Sequence, residues 1–343
     1  MLELNVKKKL NSFTLEINCN LNSNRIGILG GSGAGKSMIL KMIAGIEKPD
    51  SGYIKLDGKL LFDSQKKIDI KPQDRHIGYC FQNYALFPHL SVYENIIIGL
   101  DNKSKSLADD FLEKFGLTQI KDAKPNMISG GQAARVAMAR ILIRKPKVLL
   151  FDEAFSALDI YLRDHIQEEI SSILKDFEGS AVFVSHSRDE IYRLCESMIV
   201  IDSGKITNLG NTKEIFKNPK TKNAAILTGC KNISDIRYID ENTLEALDWG
   251  VKLNFSSKLP KGISAIGIRA HDFYPVWGKS DGNIFEFRLK SKAKLPFEDN
   301  YYIKTCGVQD ITWLVQRDMK ELIEKKGLPD FLKVDENDIL LLK

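Results

Sequence analysis

Gly30-Gly31-Ser32-Gly33-Ala34-Gly35-Lys36-Ser37 meets the pattern G-x-x-x-x-G-K-[ST] in full. The apolar run Arg25-Ile26-Gly27-Ile28-Leu29 stands before it and reads as a buried strand. Met38-Ile39-Leu40-Lys41-Met42-Ile43-Ala44 follows and reads as a helix. Strand, glycine loop and helix in that order make a phosphate cradle. The glycines let the backbone curl so that successive N–H groups point inward, and the helix adds its positive N-terminal end. Lys36 is placed to reach the β- and γ-phosphates, and the Ser37 hydroxyl to ligate Mg²⁺. The stretch predicts a bound nucleoside triphosphate; its use has to come from the rest of the chain.

Upstream, Leu2-Glu3-Leu4-Asn5-Val6 and Phe13-Thr14-Leu15-Glu16-Ile17 alternate apolar and polar residues and read as a half-exposed hairpin. From there Phe13 is placed to stack on an adenine, yet it shares a face with Leu15 and Ile17, as a core phenylalanine does. Both readings stand. Downstream, residues 53–56 and 60–62 read as short strands around Asp57-Gly58. His76-Ile77-Gly78-Tyr79-Cys80-Phe81 reads as a further strand that ends at Gln82. The next stretch, Tyr84-Ala85-Leu86-Phe87-Pro88-His89-Leu90, is too apolar for an ordinary solvent loop. Helical patterns follow at 92–100, with Ser91 as cap, and at 107–115.

Ser129-Gly130-Gly131-Gln132 opens a helix that stops before Pro146. Lys147-Val148-Leu149-Leu150-Phe151 is hydrophobic on both faces, as in a covered parallel sheet, and ends in Asp152-Glu153. Ser156-Ala157-Leu158-Asp159 leads into a long helix to about residue 177. Ala181-Val182-Phe183-Val184-Ser185 is the next buried strand, with His186 at its carboxyl end. A helix, two strands and a short helix close the unit. Strands alternating with helices predict a parallel α/β sheet, whose ligands sit at the carboxyl ends of the strands, where Gln82, Asp152 and His186 fall.

The length of 343 residues suggests two domains. Composition shifts near Asn218-Pro219-Lys220-Thr221-Lys222-Asn223, and beyond it helical periodicity gives way to short alternating runs. The expectation is an α/β domain over 1–226, with a helical insert at about 83–145, and a small β-rich barrel or sandwich over 227–343. The net charge of +5 is modest and Lys and Arg are scattered, which argues against a nucleic-acid partner. Five isolated cysteines without C-x-x-C spacing argue against a disulfide framework or zinc site and for a reducing compartment. No apolar run is long enough to span a bilayer and no signal-peptide pattern opens the chain, so a cytosolic protein, or one held at a membrane by a partner, is expected.

Glycine loop, Gln82, Ser-Gly-Gly-Gln, Asp152-Glu153, Ser-Ala-Leu-Asp and His186, in that order, resemble the ATP-binding-cassette (ABC) ATPases across essentially all of the first domain. The resemblance implies a P-loop NTPase fold with an antiparallel β subdomain and a helical insert, working with ATP and Mg²⁺. It implies that Gly30, Gly31, Ser32, Gly33, Ala34, Gly35 and Lys36 hold the phosphates. Ser37, Gln82 and Asp152 would serve the metal. Glu153 would be the general base, His186 would contact the γ-phosphate, and Gln82 would sense a partner. Ser129, Gly130, Gly131 and Gln132 would cap the γ-phosphate held by a second copy in a head-to-tail dimer, with Asp159 at that interface. Three positions depart from the family pattern: Met38 where Thr is common, Ala133-Ala134 in place of polar residues, and Ala154 in place of a proline. None removes a reacting group.

The stretch from Gly78 to Val92 is similar to the pattern in bacterial importer ATPases for oxyanions, sugars and polyamines, where the apolar surface docks a cytoplasmic helix of the membrane subunits. Leu61-Phe62-Asp63-Ser64, Ser185-His186-Ser187-Arg188-Asp189-Glu190, Leu227-Thr228-Gly229-Cys230-Lys231-Asn232-Ile233 and Gly267-Ile268-Arg269-Ala270-His271 resemble the molybdate-importer group. This implies an OB/MOP-like accessory domain at the C-terminus, integral membrane permease subunits as partners, and indirectly an extracytoplasmic substrate-binding protein. The place implied is the cytoplasmic side of the cell membrane. Arg269 and His271 would contact either an anion or a neighbouring surface. Sulfate, iron or polyamine import are the alternatives within the class. A soluble ABC ATPase is the alternative outside it, although such proteins usually carry two cassettes or a long coiled-coil insertion.

Overall fold

Alternation at the start of the chain becomes a hairpin. β1 (Leu2–Lys9) and β2 (Thr14–Leu21) pair antiparallel along their full lengths. Leu2, Leu4, Val6, Leu15 and Ile17 are buried beneath it. The computed structural model describes residues 1–100, 106–156 and 158–343. They form two units, Met1–Lys213 and Glu214–Lys343.

In the first unit β1 and β2 belong to a large sheet with β3 (Arg25–Gly30), β4 (Ser51–Leu56), β5 (Lys59–Asp63), β6 (Ile68–Asp69), β7 (Ile77–Cys80), β8 (Val148–Asp152), β9 (Ser180–Ser185), β10 (Ser197–Asp202) and β11 (Lys205–Asn211). The order is β6-β5-β4-β1-β2-β11-β10-β3-β9-β8-β7. β10, β3, β9, β8 and β7 run parallel to one another, β11 pairs antiparallel with β10, and β4, β5 and β6 extend the sheet antiparallel from β1. Every residue of β8 and β9 is buried, which is why both read as continuous apolar runs.

Alternate residues of β3 serve opposite faces. Ile26 and Ile28 join a core with Ile39, Leu40 and Ile43 of the helix Lys36–Ala44. Gly27 faces the other way, toward the helix Arg188–Leu194, where a Cβ would come within 2.6 Å of Ile191. Between β7 and β8 the chain leaves the sheet for helices Val92–Ile97, Ala108–Lys114 and Gly130–Leu142, the helical insert. Ser91 and Glu94 form a capping box at the first of these, satisfying two backbone donors reciprocally.

The second unit is built mainly of antiparallel strands. Five of them, Asn232–Tyr238, Thr243–Ala246, Val251–Asn254, Ala265–Ile268 and Ile339–Leu342, form one sheet. Two three-stranded sheets complete it, and Trp249, Phe285, Trp313 and Leu332 lie in its core. Two features depart from the sequence reading. Ile284 to Leu289 reads in the sequence as one short run, but the chain there forms two strands, Asn283–Glu286 and Arg288–Lys294, and Arg317–Lys326 is a helix. That helix is dominated by Lys, Glu, Arg and Asp, and its apolar stripe is only Met319, Leu322 and Ile323, too short to stand out as periodicity in the sequence. The units divide at Lys213/Glu214 rather than 226/227 because residues 214–228 are tied to the β-rich unit. Arg269 donates to the carbonyls of Phe216 and Thr228, and Lys343 N donates to Lys220 O at 2.8 Å.

Cys19, Cys80, Cys195 and Cys230 are buried, Cys306 is exposed, and these five are free thiols. Among the described residues no helix is long and apolar enough to cross a membrane.

Candidate functional site

β3 ends at Gly30, and the helix Lys36–Ala44 starts six residues later with Gly35 at its N-cap. The turn uses φ of +75° at Gly33 and +101° at Gly35, angles that side chains rarely adopt. Gly31 and Gly33 face open space: a Cβ built on either meets nothing within 4 Å. Ser32 is exposed and Ala34 buried. Lys36 is only 4% exposed, and its Nζ donates to Gly30 O and Gly31 O, both at 2.9 Å. Burial pulls its pKa below the ordinary lysine value, with Glu153 and Asp152 opposing. A buried ammonium at the floor of an open glycine turn, under the free N–H groups of a helix start, fits a polyphosphate.

Asp152, the last residue of β8, accepts from Ser37 Oγ at 2.7 Å and from Tyr79 OH at 2.8 Å. A hydroxyl beside a carboxylate supplies the hard oxygen atoms that suit Mg²⁺. Burial, and then Asp152, push the Tyr79 phenol far above its ordinary pKa. The chain turns sharply at Glu153, a non-glycine residue at φ +50°, whose N–H donates to Val184 O at 3.0 Å. Such a backbone persists only where the surroundings over-determine it, often at functional sites. The turn brings Glu153 Oε1 to 2.6 Å from His186 Nε2, and His186 Nδ1 lies 3.4 Å from Lys36 Nζ.

Gln82 joins this group through Ser156. Its Nε2 donates to Ser156 Oγ at 3.3 Å, and Ser156 Oγ donates to Glu153 O at 2.8 Å. The turn bearing His186 is fastened from behind. Ser185 Oγ donates to the buried Glu190 carboxylate and accepts from Ser187 N at 2.9 Å, while Ser187 Oγ accepts from Glu190 N at 3.3 Å. Glu153, Ser156, Arg163, His186 and Glu190 surround a cavity of about 240 Å³.

Lys36, Ser37, Gln82, Asp152, Glu153 and His186 thus gather at the carboxyl ends of β3, β7, β8 and β9. Ser129–Gln132 stands apart: among the described residues no hydrogen bond or ion pair joins it to them. It opens the helix Gly130–Leu142 with a capping box, Ser129 N donating to Gln132 Oε1 at 2.8 Å and Gln132 N to Ser129 Oγ at 3.3 Å. Gly131 is buried, and a Cβ there would lie 2.7 Å from Leu162. Asp159 caps the helix Ile160–Lys175 by accepting from Leu162 N at 3.0 Å. Beside it, Ile160 and Tyr161 are 78% and 88% exposed. Ala157 lies outside the described residues. Ala134 and Ala154, two of the departures from the family pattern, are both buried.

Tyr79, Ser156, Ser185 and Glu190 lie within the motifs, but the sequence alone assigns them no role. Each is a residue type common in strands or helix starts, and its role appears only once the strands align. Phe13 is half-buried against the main core and its ring lies close to Gly35 and Gly204. Arg269 spends its guanidinium on the carbonyls of Phe216 and Thr228, and His271 Nε2 is 3.4 Å from Asp272.

A groove of about 690 Å³ lies beside Gln82, lined among others by Tyr79, Phe81, Ala85, Phe87, Ile98 and Arg140. Tyr84 and Ala85 take φ of +60° and +44° in its wall. Arg140 holds that conformation by donating to their carbonyls at 2.6 and 2.8 Å, and its guanidinium lies 5.9 Å from the Phe87 ring centroid.

The ABC transporter family pattern matches residues 11–156. A probable sulfate/thiosulfate import ATP-binding protein of Chlorella vulgaris is 40% identical over 224 residues, covering 63% of this chain and 92% of that protein. A molybdenum import ATP-binding protein of Photobacterium profundum is 34% identical over 245 residues, covering 69% and 68%. An Fe(3+) ions import ATP-binding protein of Haemophilus influenzae is 37% identical over 224 residues, covering 64% and 62%. Among solved structures, a dimeric ATP-binding cassette in a post-hydrolysis state with ADP and Pi superposes with a TM-score of 0.52 at 26% identity, covering 62% of this chain and 99% of that one. A cassette from Clostridium perfringens, part of the cbiONQ transporter complex, gives 0.54 at 29% identity, covering 63% and 90%.

Proposed function

The chain belongs to the ABC transporter ATPase family, and from that premise we propose that it powers an importer of molybdate or a related oxyanion. It is an ATP hydrolase. The observation that carries the mechanism is the convergence of Lys36, Asp152, Glu153 and His186 at adjoining strand ends.

The geometry supports a division of labour. The glycine turn and Lys36 bind the β- and γ-phosphates. Ser37 and Asp152 would hold Mg²⁺, which would neutralise charge on the phosphate oxygens. Glu153 accepts the proton of the attacking water, and His186 orients the Glu153 carboxylate while facing the γ-phosphate. Gln82 reaches this centre through Ser156 and stands beside the groove. The groove is the dock for a cytoplasmic helix of the membrane subunits; its exposed Phe87 and strained wall support that use. The protein then works at the cytoplasmic face of a membrane, attached through those subunits.

Ser129–Gln132 serves the phosphates of a second copy in a head-to-tail dimer. Its separation from the chain's own glycine turn supports this, as do the exposed Ile160 and Tyr161 beside Asp159. Binding of ATP closes the pair and hydrolysis opens it.

Molybdate is favoured by the motifs around Asp63, His186, Gly229 and Arg269. Sulfate is the second reading, favoured by the 40% identity to the Chlorella vulgaris protein. Reconstitution with candidate membrane subunits separates them. Molybdate uptake competed by tungstate ahead of sulfate supports the first reading, and preferential competition by sulfate the second. ATP hydrolysis that no membrane subunit alters or retains in a complex overturns the importer reading.

A further inference from the structure

Both oxygens of Asp152 are held. Ser37 Oγ donates to Oδ1, and Tyr79 OH donates to Oδ2. Tyr79 can reach across because β7 and β8 are parallel neighbours with Tyr79 opposite Leu150, two residues before Asp152 on the same face. The same ring has a second contact: Tyr79 and Phe81 lie with centroids 4.3 Å apart, and both line the groove beside Gln82. One side chain therefore touches the groove with its ring and the carboxylate with its hydroxyl.

We propose that Tyr79 is a positioning residue for Asp152: its hydroxyl fixes the metal-holding carboxylate, and its ring transmits occupancy of the groove to it. This rests on the reading of Asp152 as the Mg²⁺ carboxylate and of the groove as the dock. The physical basis is simple. Without the phenol, Asp152 loses the donor to Oδ2 and is held only by Ser37. A partner wedged against Phe81 shifts the Tyr79 ring, and the hydroxyl moves with it. The path runs beside the link from Gln82 through Ser156, which ends on the main-chain carbonyl of Glu153, and itself ends on the Asp152 carboxylate.

The test measures metal binding apart from turnover. Mn²⁺ stands in for Mg²⁺ and is followed by electron paramagnetic resonance on the full-length chain with ATP. Binding of ATP without metal is measured in parallel. Tyr79→Phe keeps the ring and deletes only the hydroxyl. Mn²⁺ affinity is expected to fall about tenfold, the usual scale for loss of an outer-shell partner, with metal-free ATP binding unchanged. Phe81→Ala removes the ring leaning on Tyr79 and is expected to shift Mn²⁺ affinity the same way by a smaller factor. Native Mn²⁺ affinity in Tyr79→Phe overturns the positioning role, as does an equal loss of metal-free ATP binding, which marks a merely structural residue. No shift in Phe81→Ala overturns the link to the groove. Asp152→Asn distinguishes the deeper failure: if it leaves Mn²⁺ affinity untouched, the metal assignment itself falls and the proposal falls with it.

Discussion

His186 Nε2 lies 2.6 Å from Glu153 Oε1, so the histidine after β9 and the carboxylate after β8 are direct partners. The contact makes the two side chains one functional unit, oriented by the left-handed turn at Glu153 and the Ser185–Glu190 fastening behind His186.

Glu153→Gln should lower ATP turnover by about 10²- to 10⁴-fold, the range for loss of a general base, while ATP still binds. The variant should then elute as an ATP-dependent dimer in gel filtration with light scattering. His186→Ala should lower turnover on a similar scale. Retained hydrolysis in Glu153→Gln removes it from the base role.

Burial pushes the Glu190 carboxyl up to about 7, against the pull of Ser185 and Arg163. An unfolded chain releases that proton near the ordinary value of 4.5. Between these values the folded state keeps a proton that the unfolded state has lost, so this group's contribution to stability falls as pH rises through the window. Above it a penalty on the order of 3 kcal/mol stands. Glu190→Gln keeps an acceptor for Ser185 and does not titrate. Its stability relative to the native protein, from urea midpoints, should therefore rise between about pH 5 and pH 8. A difference that stays flat with pH contradicts the assignment.

Arg140→Ala removes both donors that hold the Tyr84 and Ala85 carbonyls in the groove wall. ATP binding by the isolated chain should remain, because Arg140 touches none of the phosphate-facing residues. Stimulation of hydrolysis by reconstituted membrane subunits should fall at least tenfold, given about 1.4 kcal/mol or more from two lost charged hydrogen bonds. Full stimulation argues that the strained wall has no part in docking.

Arg269 donates to two main-chain carbonyls of the second unit. Arg269→Ala should destabilise that unit by roughly 2 kcal/mol, read as a lower melting temperature by calorimetry. Molybdate or sulfate should not restore it. A variant with native stability but impaired oxyanion binding would return Arg269 to the anion role.

Much of the site was legible because its parts lie in short segments whose chemistry and strand–loop–helix context agree. Asp152 and His186 each stand at the end of an apolar run and Lys36 follows one across the glycine loop, and parallel strands bring such ends together whatever the distance along the chain. Tyr79 was invisible for the opposite reason. A tyrosine in a buried strand reads as core, and only the register of β7 against β8 shows that its hydroxyl meets Asp152. The helix Arg317–Lys326 escaped because its apolar stripe is only three residues, Met319, Leu322 and Ile323, amid charged ones, and the strand after Phe287 because its lysines disguise an edge. The division at Lys213/Glu214 depends on hydrogen bonds from Arg269 and Lys343, far along the chain.

The capping box at Ser129 has a kinetic consequence. The Ser129 hydroxyl accepts from the Gln132 main-chain N–H, and the Gln132 side-chain oxygen accepts from the Ser129 main-chain N–H; in the proposed dimer, the turn offered to a second copy would therefore already hold one conformation. For this turn the entropy of ordering at encounter would be spared. Docking of two such turns in the proposed dimer would then be limited by diffusion and orientation instead of local refolding.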